Sequence, residues 1–325
     1  MQATAVAHPN VALIKYWGKR DSAKNLPAVG SLSLTLGGLH TRTTVRIDES
    51  IEQDQVLING QPDARALPRV SRCLDLLRAE AGSSSRAIVE SANDFPTGAG
   101  LASSASGYAA LVKAAAGALE LDAKPELLNE IARIGSGSAP RSLHGGIVLL
   151  DFPDGLTDGA DMRCETICPA ADWPLTTVVA VTSRAVKDVG STGGMELSRE
   201  TSPYYVPWVE SHPQDLQAGL AAVAARDFDA IADLAEHSCL KMHAVAMTTQ
   251  PSLFYWSAAT VECLLAVRQL RSEGIPVFFT IDAGPQLKAV CLPEAAAKVA
   301  DVLQALPGVL EVIHSDLGQG AWLET

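Results

Sequence analysis

Aromatic residues are scarce in this chain of 325 residues, at 5% of positions, and there are only six cysteines. With so few large rings, the core has to be assembled from Ala, Leu and Val, which fill space only when elements pack closely. The cysteines, at 73, 164, 168, 239, 263 and 291, are too sparse for a disulfide scaffold, and Cys164-x-x-x-Cys168 has no second pair to complete a zinc site. They are expected to be structural thiols. A surplus of positive charge is also missing: 25 Lys and Arg face 37 Asp and Glu, a net charge of −12. That argues against a general binder of nucleic acid or of anionic membranes, which needs a basic face. It does not exclude a small anion held by a few cations in a cleft. The charge-free stretches Phe95–Val112 and Met242–Val261 are broken by Pro, Ser or Thr, so neither reads as a membrane-spanning helix. Met1-Gln2-Ala3-Thr4 lacks the basic start and apolar run of a secretion signal, and a cytoplasmic location is expected.

What is present is a globular composition, 47% apolar and 19% charged, in a length that suits one large domain or two ordinary ones. Period-two alternation predicts strands over Val11–Tyr16, Ser31–Leu36, Thr41–Ile47 and Gln55–Ile58, the last closing on the turn pair Asn59-Gly60. Helical spacing follows at Leu67–Ala81, Ser104–Leu119 and Pro125–Ile134, then buried strands at Gly145–Asp151 and Leu175–Thr182. Beyond residue 183 the pattern shifts to longer helices, Leu216–Ala225, Ala230–Val245 and Ser257–Glu273. A strand pair at Pro276–Asp282 and Leu287–Leu292, a helix at Glu294–Leu306 and a strand near Val309–His314 complete it. Strands and helices are segregated rather than strictly alternating, which favours an α+β fold.

Five segments carry candidate chemistry. Pro96-Thr-Gly-Ala-Gly-Leu-Ala-Ser-Ser-Ala-Ser-Gly107 leads small residues straight into a helix, where converging N–H groups suit a phosphate. It lacks the Gly-Lys-Ser/Thr of a Walker loop and the third Gly of a dinucleotide fingerprint, and a tight strand–helix connection explains it equally well. Gly135-Ser-Gly-Ser-Ala-Pro-Arg-Ser142 sets Arg141 after a flexible turn, able to grip a carboxylate or phosphate, or to pair at the surface. Lys15-Tyr-Trp-Gly-Lys19 reads more simply as a strand end with solvated charges. Lys187-Asp-Val-Gly-Ser-Thr-Gly-Gly-Met195 is a third loop compatible with phosphate. Asp282, at the end of an apolar strand, either caps its own turn or stands ready to accept a proton from a hydroxyl. The histidines are dispersed, and no metal ligands are identified. Residue chemistry alone reaches an anion- or nucleotide-binding α+β enzyme.

Taken together, Ala7-His-Pro-Asn-Val-Ala-Leu-Ile-Lys-Tyr-Trp-Gly-Lys-Arg-Asp21, Pro96–Gly107, Gly135–Ser142, Lys187–Met195 with Thr201-Ser-Pro203, and Asp282-Ala-Gly-Pro285 resemble the mevalonate diphosphate decarboxylases of the GHMP kinase superfamily. The resemblance implies a two-domain GHMP kinase-like fold: an N-terminal ATP-binding α+β domain over 1–183 and a ferredoxin-like C-terminal domain over 184–325 carrying Asp282. It implies a site between the domains and a homodimer. It also implies a reaction in which ATP phosphorylates the 3-hydroxyl of mevalonate 5-diphosphate, after which phosphate and CO₂ leave to give isopentenyl diphosphate. Asp282, Lys15 and Arg141 would be catalytic. Tyr16, Lys19, Arg69, Ser136, Ser138, Arg141, Ser191 and Thr192 would bind substrate. Gly98, Ala99, Gly100, Leu101, Ala102, Ser103, Ser104 and Lys187 would bind ATP, with Mg²⁺ expected.

The chain departs from the family pattern at His144, at Leu149-Leu150, at Gly30 and at Thr192, and these changes are expected around the substrate end. They keep open a decarboxylase of mevalonate 5-phosphate. A 3-hydroxyl kinase and a non-catalytic nucleotide-binding paralogue are the alternatives from other classes.

Overall fold

The computed structural model describes residues 1–95, 100–152, 162–185 and 188–325. Among these, strands form three main antiparallel-rich sheets. The first runs in the order Trp322–Leu323, Gln2–Ala7, Thr41–Asp48, Arg86–Asn93, Gln55–Ile58, Gln61–Pro62. The helices Leu67–Ala81, Ser103–Ala118 and Pro125–Gly135 share an apolar core with it. The middle helix buries Ala105, Ala109, Ala110, Ala114, Ala115 and Ala118. Small side chains allow a close seat on the strands Gln2–Ala7 and Thr41–Asp48, and this fixes where the helix N-terminus ends up. The second sheet pairs Arg163–Cys168, Ile147–Asp151, Ser31–Thr35 and Asn10–Ile14.

The third sheet runs Val277–Ile281, Leu287–Cys291, Thr176–Val181, Glu311–Asp316, antiparallel throughout. With the helices Phe228–Met247, Ala258–Ser272 and Ala296–Gln304, this is the ferredoxin-like arrangement that the resemblance implies. Its strand Thr176–Val181 precedes residue 183, and the chain end returns to the first sheet through Trp322–Leu323. Side-chain alternation splits the third sheet in two. Val277, Phe279, Ile281, Ala289 and Cys291 pack in the cluster containing Leu264, Val267 and Val299. Phe278 and Val290 join the cluster of Val11, Leu13, Leu32 and Leu34 on the other side. One core therefore runs across from the second sheet to the third.

Two helices differ from expectation. Tyr205–Ala225 begins well ahead of Leu216, because Ser211, His212 and Pro213 hide the helical period of its first half. Ser191–Thr201 is helical where a loop is expected. Gly193 and Gly194 lower its intrinsic propensity, but a Cβ on Gly194 would lie 2.4 Å from the Tyr255 hydroxyl, so tertiary packing overrides propensity. The strands Gln2–Ala7, Arg86–Asn93 and Arg163–Cys168 were not predicted by alternation. All six cysteines are free and buried.

Candidate active site

Asp282 follows the strand Val277–Ile281 on the face that turns toward the second sheet, continuing the alternation Phe278, Thr280, Asp282. The Thr280 hydroxyl donates to the Ala12 carbonyl at 2.9 Å and ties this strand to Asn10–Ile14. Lys15 extends from the end of that neighbouring strand. Its backbone N–H donates to Ser238 Oγ at 2.9 Å, and its carbonyl accepts from His212 Nε2 at 2.9 Å. Lys15 Nζ reaches Asp282 Oδ1 at 2.6 Å, with the Lys side chain 1% and the Asp side chain 25% exposed. Both simpler readings are overturned: Lys15 is not solvated, and the Asp282 carboxylate turns to a cation rather than back to its own turn. Burial would push the Asp282 carboxyl up, but Lys15, then Lys288 and Arg141, outweigh it and hold the group at about 2.

Helix Phe228–Met247 holds both partners. Besides Ser238 on Lys15, it supplies Cys239 Sγ, which accepts from Ile281 N at 3.2 Å, and His243 Nε2, which donates to the Ile281 carbonyl at 3.2 Å. Burial drives the His243 imidazole down to about 3, so the ring is neutral at physiological pH.

Arg141 lies on the short turn Ala139–Ser142 and is buried, not surface-paired. Its Nε donates to Asn10 Oδ1 at 3.1 Å and its Nη1 to Ser31 Oγ at 2.5 Å. Both partners are neutral, so the guanidinium charge is oriented without being cancelled.

The helix Ser103–Ala118 starts from Ala102, whose φ of 55° is left-handed, with no side-chain cap and no acidic residue in its first turn. Neither its N-cap residue nor a carboxylate of its own first turn therefore offsets the positive end of its dipole. Gly100, at φ +86°, lies so close to Gly284 that a Cβ would come within 2.9 Å of the Gly284 Cα. The helix start is thereby pressed against the Asp282–Pro285 turn, backbone to backbone. A chain of hydroxyls, Ser104 to Ser136 at 3.3 Å and Ser136 to Ser138 at 3.2 Å, joins the two Gly/Ser runs.

These groups line one cavity of about 320 Å³. Lys15, Tyr16, Lys19, Arg69, Gly100, Ala102, Ser103, Ser104, Ser136, Ser138, Arg141, Ser191, Thr192 and Asp282 all face it. Lys19 is not solvated either: it is 8% exposed, and burial and then Arg69 lower its ammonium pKa while Glu196 opposes the shift. Tyr16 is buried, its hydroxyl against Gly137, with its pKa raised by burial. Leu101 sits in the apolar core and does not line the cavity. Gly98, Ala99 and Lys187 lie outside the described residues. A second cavity of about 310 Å³ adjoins the first through Arg69, Ser103 and Ser104, and is walled by Val56, Ile58, Val70, Val89, Tyr108 and Leu111.

Sequence reasoning missed Asn10, Ser31 and Lys288. The signal for Lys288 was a lone charge inside Leu287-Lys-Ala-Val-Cys291. Of the departures, only Thr192 lines the cavity. A Cβ on Gly30 would meet Leu216 Cδ2 at 2.6 Å, Leu149 and Leu150 lie in a buried strand, and His144 bonds to Asn129. Three of the four are packing changes, not changes at the substrate end.

The fold and the site define an enzyme of the GHMP kinase-like class, with a phosphate-suited helix start facing a buried Asp–Lys pair. The particular family follows from comparison. Residues 7–158 match the diphosphomevalonate decarboxylase-like N-terminal domain, and residues 177–318 match the mevalonate 5-diphosphate decarboxylase C-terminal domain. The diphosphomevalonate decarboxylase of Candida albicans is 38% identical over 87% of this chain and 82% of its own. The mevalonate diphosphate decarboxylase structure from Staphylococcus aureus is 34% identical, covers 100% of this chain and 98% of its own, and gives a TM-score of 0.92. A structure of MDDEF in complex with MVAPP, AMPPCP and magnesium is 35% identical, covers 100% of this chain and 99% of its own, and gives a TM-score of 0.91. The chain belongs to the diphosphomevalonate decarboxylase family.

Proposed function

We propose that the protein catalyses ATP-dependent decarboxylation of mevalonate 5-diphosphate to isopentenyl diphosphate, releasing ADP, phosphate and CO₂. The observation that carries this reading is the convergence of Asp282, Lys15 and Arg141 with the start of the helix Ser103–Ala118 in one cavity. Family membership and the related complex with MVAPP and an ATP analogue support it.

The substrate's 3-hydroxyl hydrogen-bonds to the Asp282 carboxylate, which accepts its proton as the hydroxyl oxygen attacks the γ-phosphoryl group. Lys15 keeps Asp282 ionised and offsets charge on the transferring group. Arg141 grips the C1 carboxylate, so the C–C bond to be broken stays aligned with the departing 3-phosphate. Loss of that phosphate and of CO₂ then leaves the double bond. Lys19, Arg69, Tyr16, Ser136, Ser138, Ser191 and Thr192 hold the diphosphate and carboxylate ends. The Gly100–Ser104 backbone, with Gly98, Ala99 and Lys187, cradles the ATP phosphates, and the adjoining apolar cavity takes the nucleoside.

Magnesium fits this donor set. Ser103 and Ser104 supply hard hydroxyl oxygens at the phosphate-suited helix start, and the described residues hold no group of three His, Cys, Asp or Glu that would cage a metal alone. This suits an ion carried mainly by phosphates, which would spread phosphoryl charge when bound. We place the division between the lobes within 169–175, ahead of the strand Thr176–Val181. The same reading takes the protein as a cytoplasmic homodimer, for which light scattering checks the assembly. The deciding experiment compares ADP and CO₂ release from mevalonate 5-diphosphate and mevalonate 5-phosphate. Equal release of ADP and CO₂ with preference for the diphosphate supports the reading. Preference for the monophosphate replaces the substrate, and ADP without CO₂ sinks decarboxylation.

A further inference from the structure

Lys288 is the one charged side chain in the strand Leu287–Cys291, paired in register with Thr280 on one side and Val179 on the other. Its side chain is 2% exposed and stands on the sheet face that meets the N-terminal lobe. A buried ammonium is costly unless its donors and its charge are both met. Here Nζ donates to the Gly100 carbonyl at 2.7 Å and lies 3.6 Å from Asp282 Oδ2. Each Asp282 oxygen thus has its own lysine, but the two lysines differ. Lys15 holds Asp282 at 2.6 Å from the side of the second sheet, and Lys288 reaches past the carboxylate to the backbone of the phosphate-suited turn. Gly100 is also where the turn presses on Gly284, and Ala102 two residues on is held left-handed. Left-handed backbone on a non-glycine residue persists only where its surroundings hold it.

We propose that Lys288 is a positioning residue that fixes the Gly100–Ser104 turn against Asp282, so that the γ-phosphoryl group and the accepting hydroxyl meet in line. This rests on the ATP-dependent reading above. Lys15 suffices as the close counter-ion of Asp282, and the tie to Gly100 gives the second buried lysine its purpose. Because the turn lies in one lobe and Asp282 in the other, the ammonium sets their separation directly.

The test uses the full chain with Lys288→Met, Lys288→Gln and Lys288→Arg. It reads AMPPCP–magnesium affinity by calorimetry, kcat for CO₂ release, KM for mevalonate 5-diphosphate, and melting temperature. Lys288→Met is expected to lower kcat by about 30-fold or more, since a misplacement near 1 Å costs on the order of 10²-fold. It should weaken AMPPCP binding several-fold and leave KM for mevalonate 5-diphosphate within about threefold. Lys288→Arg should recover part of kcat. Should the Met variant fail to fold, Lys288→Gln, which can still donate to Gly100 without charge, should keep both kcat and AMPPCP affinity within about fivefold of wild type. The proposal is overturned if a folded Met variant keeps wild-type kcat and AMPPCP affinity, even with a lowered melting temperature, or if a folded Gln variant loses kcat by about 30-fold or more, which would make the charge and not the tie to Gly100 the working feature. It is overturned too if the wild type binds no AMPPCP. Wild-type protein that binds AMPPCP but releases no CO₂ would sink the decarboxylase reading alone, leaving the calorimetry to judge Lys288.

Discussion

Replacing Asp282 by Asn separates the chemical from the structural work of the carboxylate. The side chain keeps its size and can still accept from Lys15 on one side. Its amide nitrogen would then face Lys288, now 3.6 Å from Oδ2, as donor against donor. Charge and proton acceptance are lost together. Removing a positioned general base costs about 10² to 10⁴ in rate, so kcat for CO₂ release should fall by roughly three powers of ten, with KM values within a few-fold. The stability effect follows from the same ion pair. The carboxyl is held at about 2 against an ordinary 3.8, which corresponds to about 2 kcal/mol favouring the folded state at neutral pH. That predicts a melting temperature lower by roughly 3 °C in the Asn variant at pH 7. Because the folded value lies below the unfolded one, this advantage of the wild type is complete above about pH 4 and fades as pH falls toward 2. Melting curves of both proteins between pH 7 and pH 3 and a radiometric CO₂ assay measure the two effects separately. Turnover within about fivefold of wild type, in a folded Asn variant, would refute the role given to Asp282.

Arg141→Lys removes the fork that bonds Asn10 and Ser31, and kcat/KM should fall by about 10²-fold as a single ammonium fails to hold both those groups and the C1 carboxylate; undiminished CO₂ release places the carboxylate elsewhere. Gly100→Ala puts a methyl 2.9 Å from the Gly284 Cα at a left-handed φ, and should cost about 1–3 kcal/mol in denaturant melts together with most of kcat. Wild-type stability there means the turn and the Asp282 loop are less tightly apposed. Lys19→Met should raise KM for mevalonate 5-diphosphate about tenfold or more with kcat within about threefold, the pattern of a group that binds ground and transition states alike. An unchanged KM removes Lys19 from the substrate's anionic end.

Much of the site was legible because unusual residues stand where folding alone does not ask for them. Gly100, Ser103 and Ser104 sit at a helix start, Arg141 follows a Gly/Ser turn, and Asp282 ends an apolar strand, so each announces a local purpose. What local pattern could not supply was the environment. Lys15 and Lys19 look like solvated ends until the second sheet and the helix Phe228–Met247 enclose them. Lys288 and Asn10 each resemble an ordinary polar interruption of a strand, because only the partner lobe shows what they reach. The helix Ser191–Thr201 is hidden by Gly193-Gly194, although the small size of Gly194 serves contact with Tyr255 and Trp17 rather than backbone freedom. Gly30 was read as a change at the substrate end, yet it answers crowding by Leu216 from a helix nearly two hundred residues away in sequence.

The charge pattern of the cavity explains how a protein of net charge −12 can serve two polyanions at once. Lys15, Lys288 and Arg141 surround a single carboxylate, Asp282, at one end, and Lys19, beside Arg69, is opposed by Glu196 at the other. Acidic side chains elsewhere are largely exposed, where water and salt screen them within about 10 Å. The buried cations are screened far less, so the local field is set by the cavity and not by the net charge. Arg141 shows how this is achieved, since orienting it with Asn10 and Ser31 spends no negative charge on it. A carboxylate in either place would fix the same geometry but leave nothing to attract the substrate. Asp282 is the necessary exception, and its two lysines resolve the conflict. They keep it ionised, as a proton acceptor must be, while the cluster as a whole stays positive toward the carboxylate and phosphoryl groups it must receive.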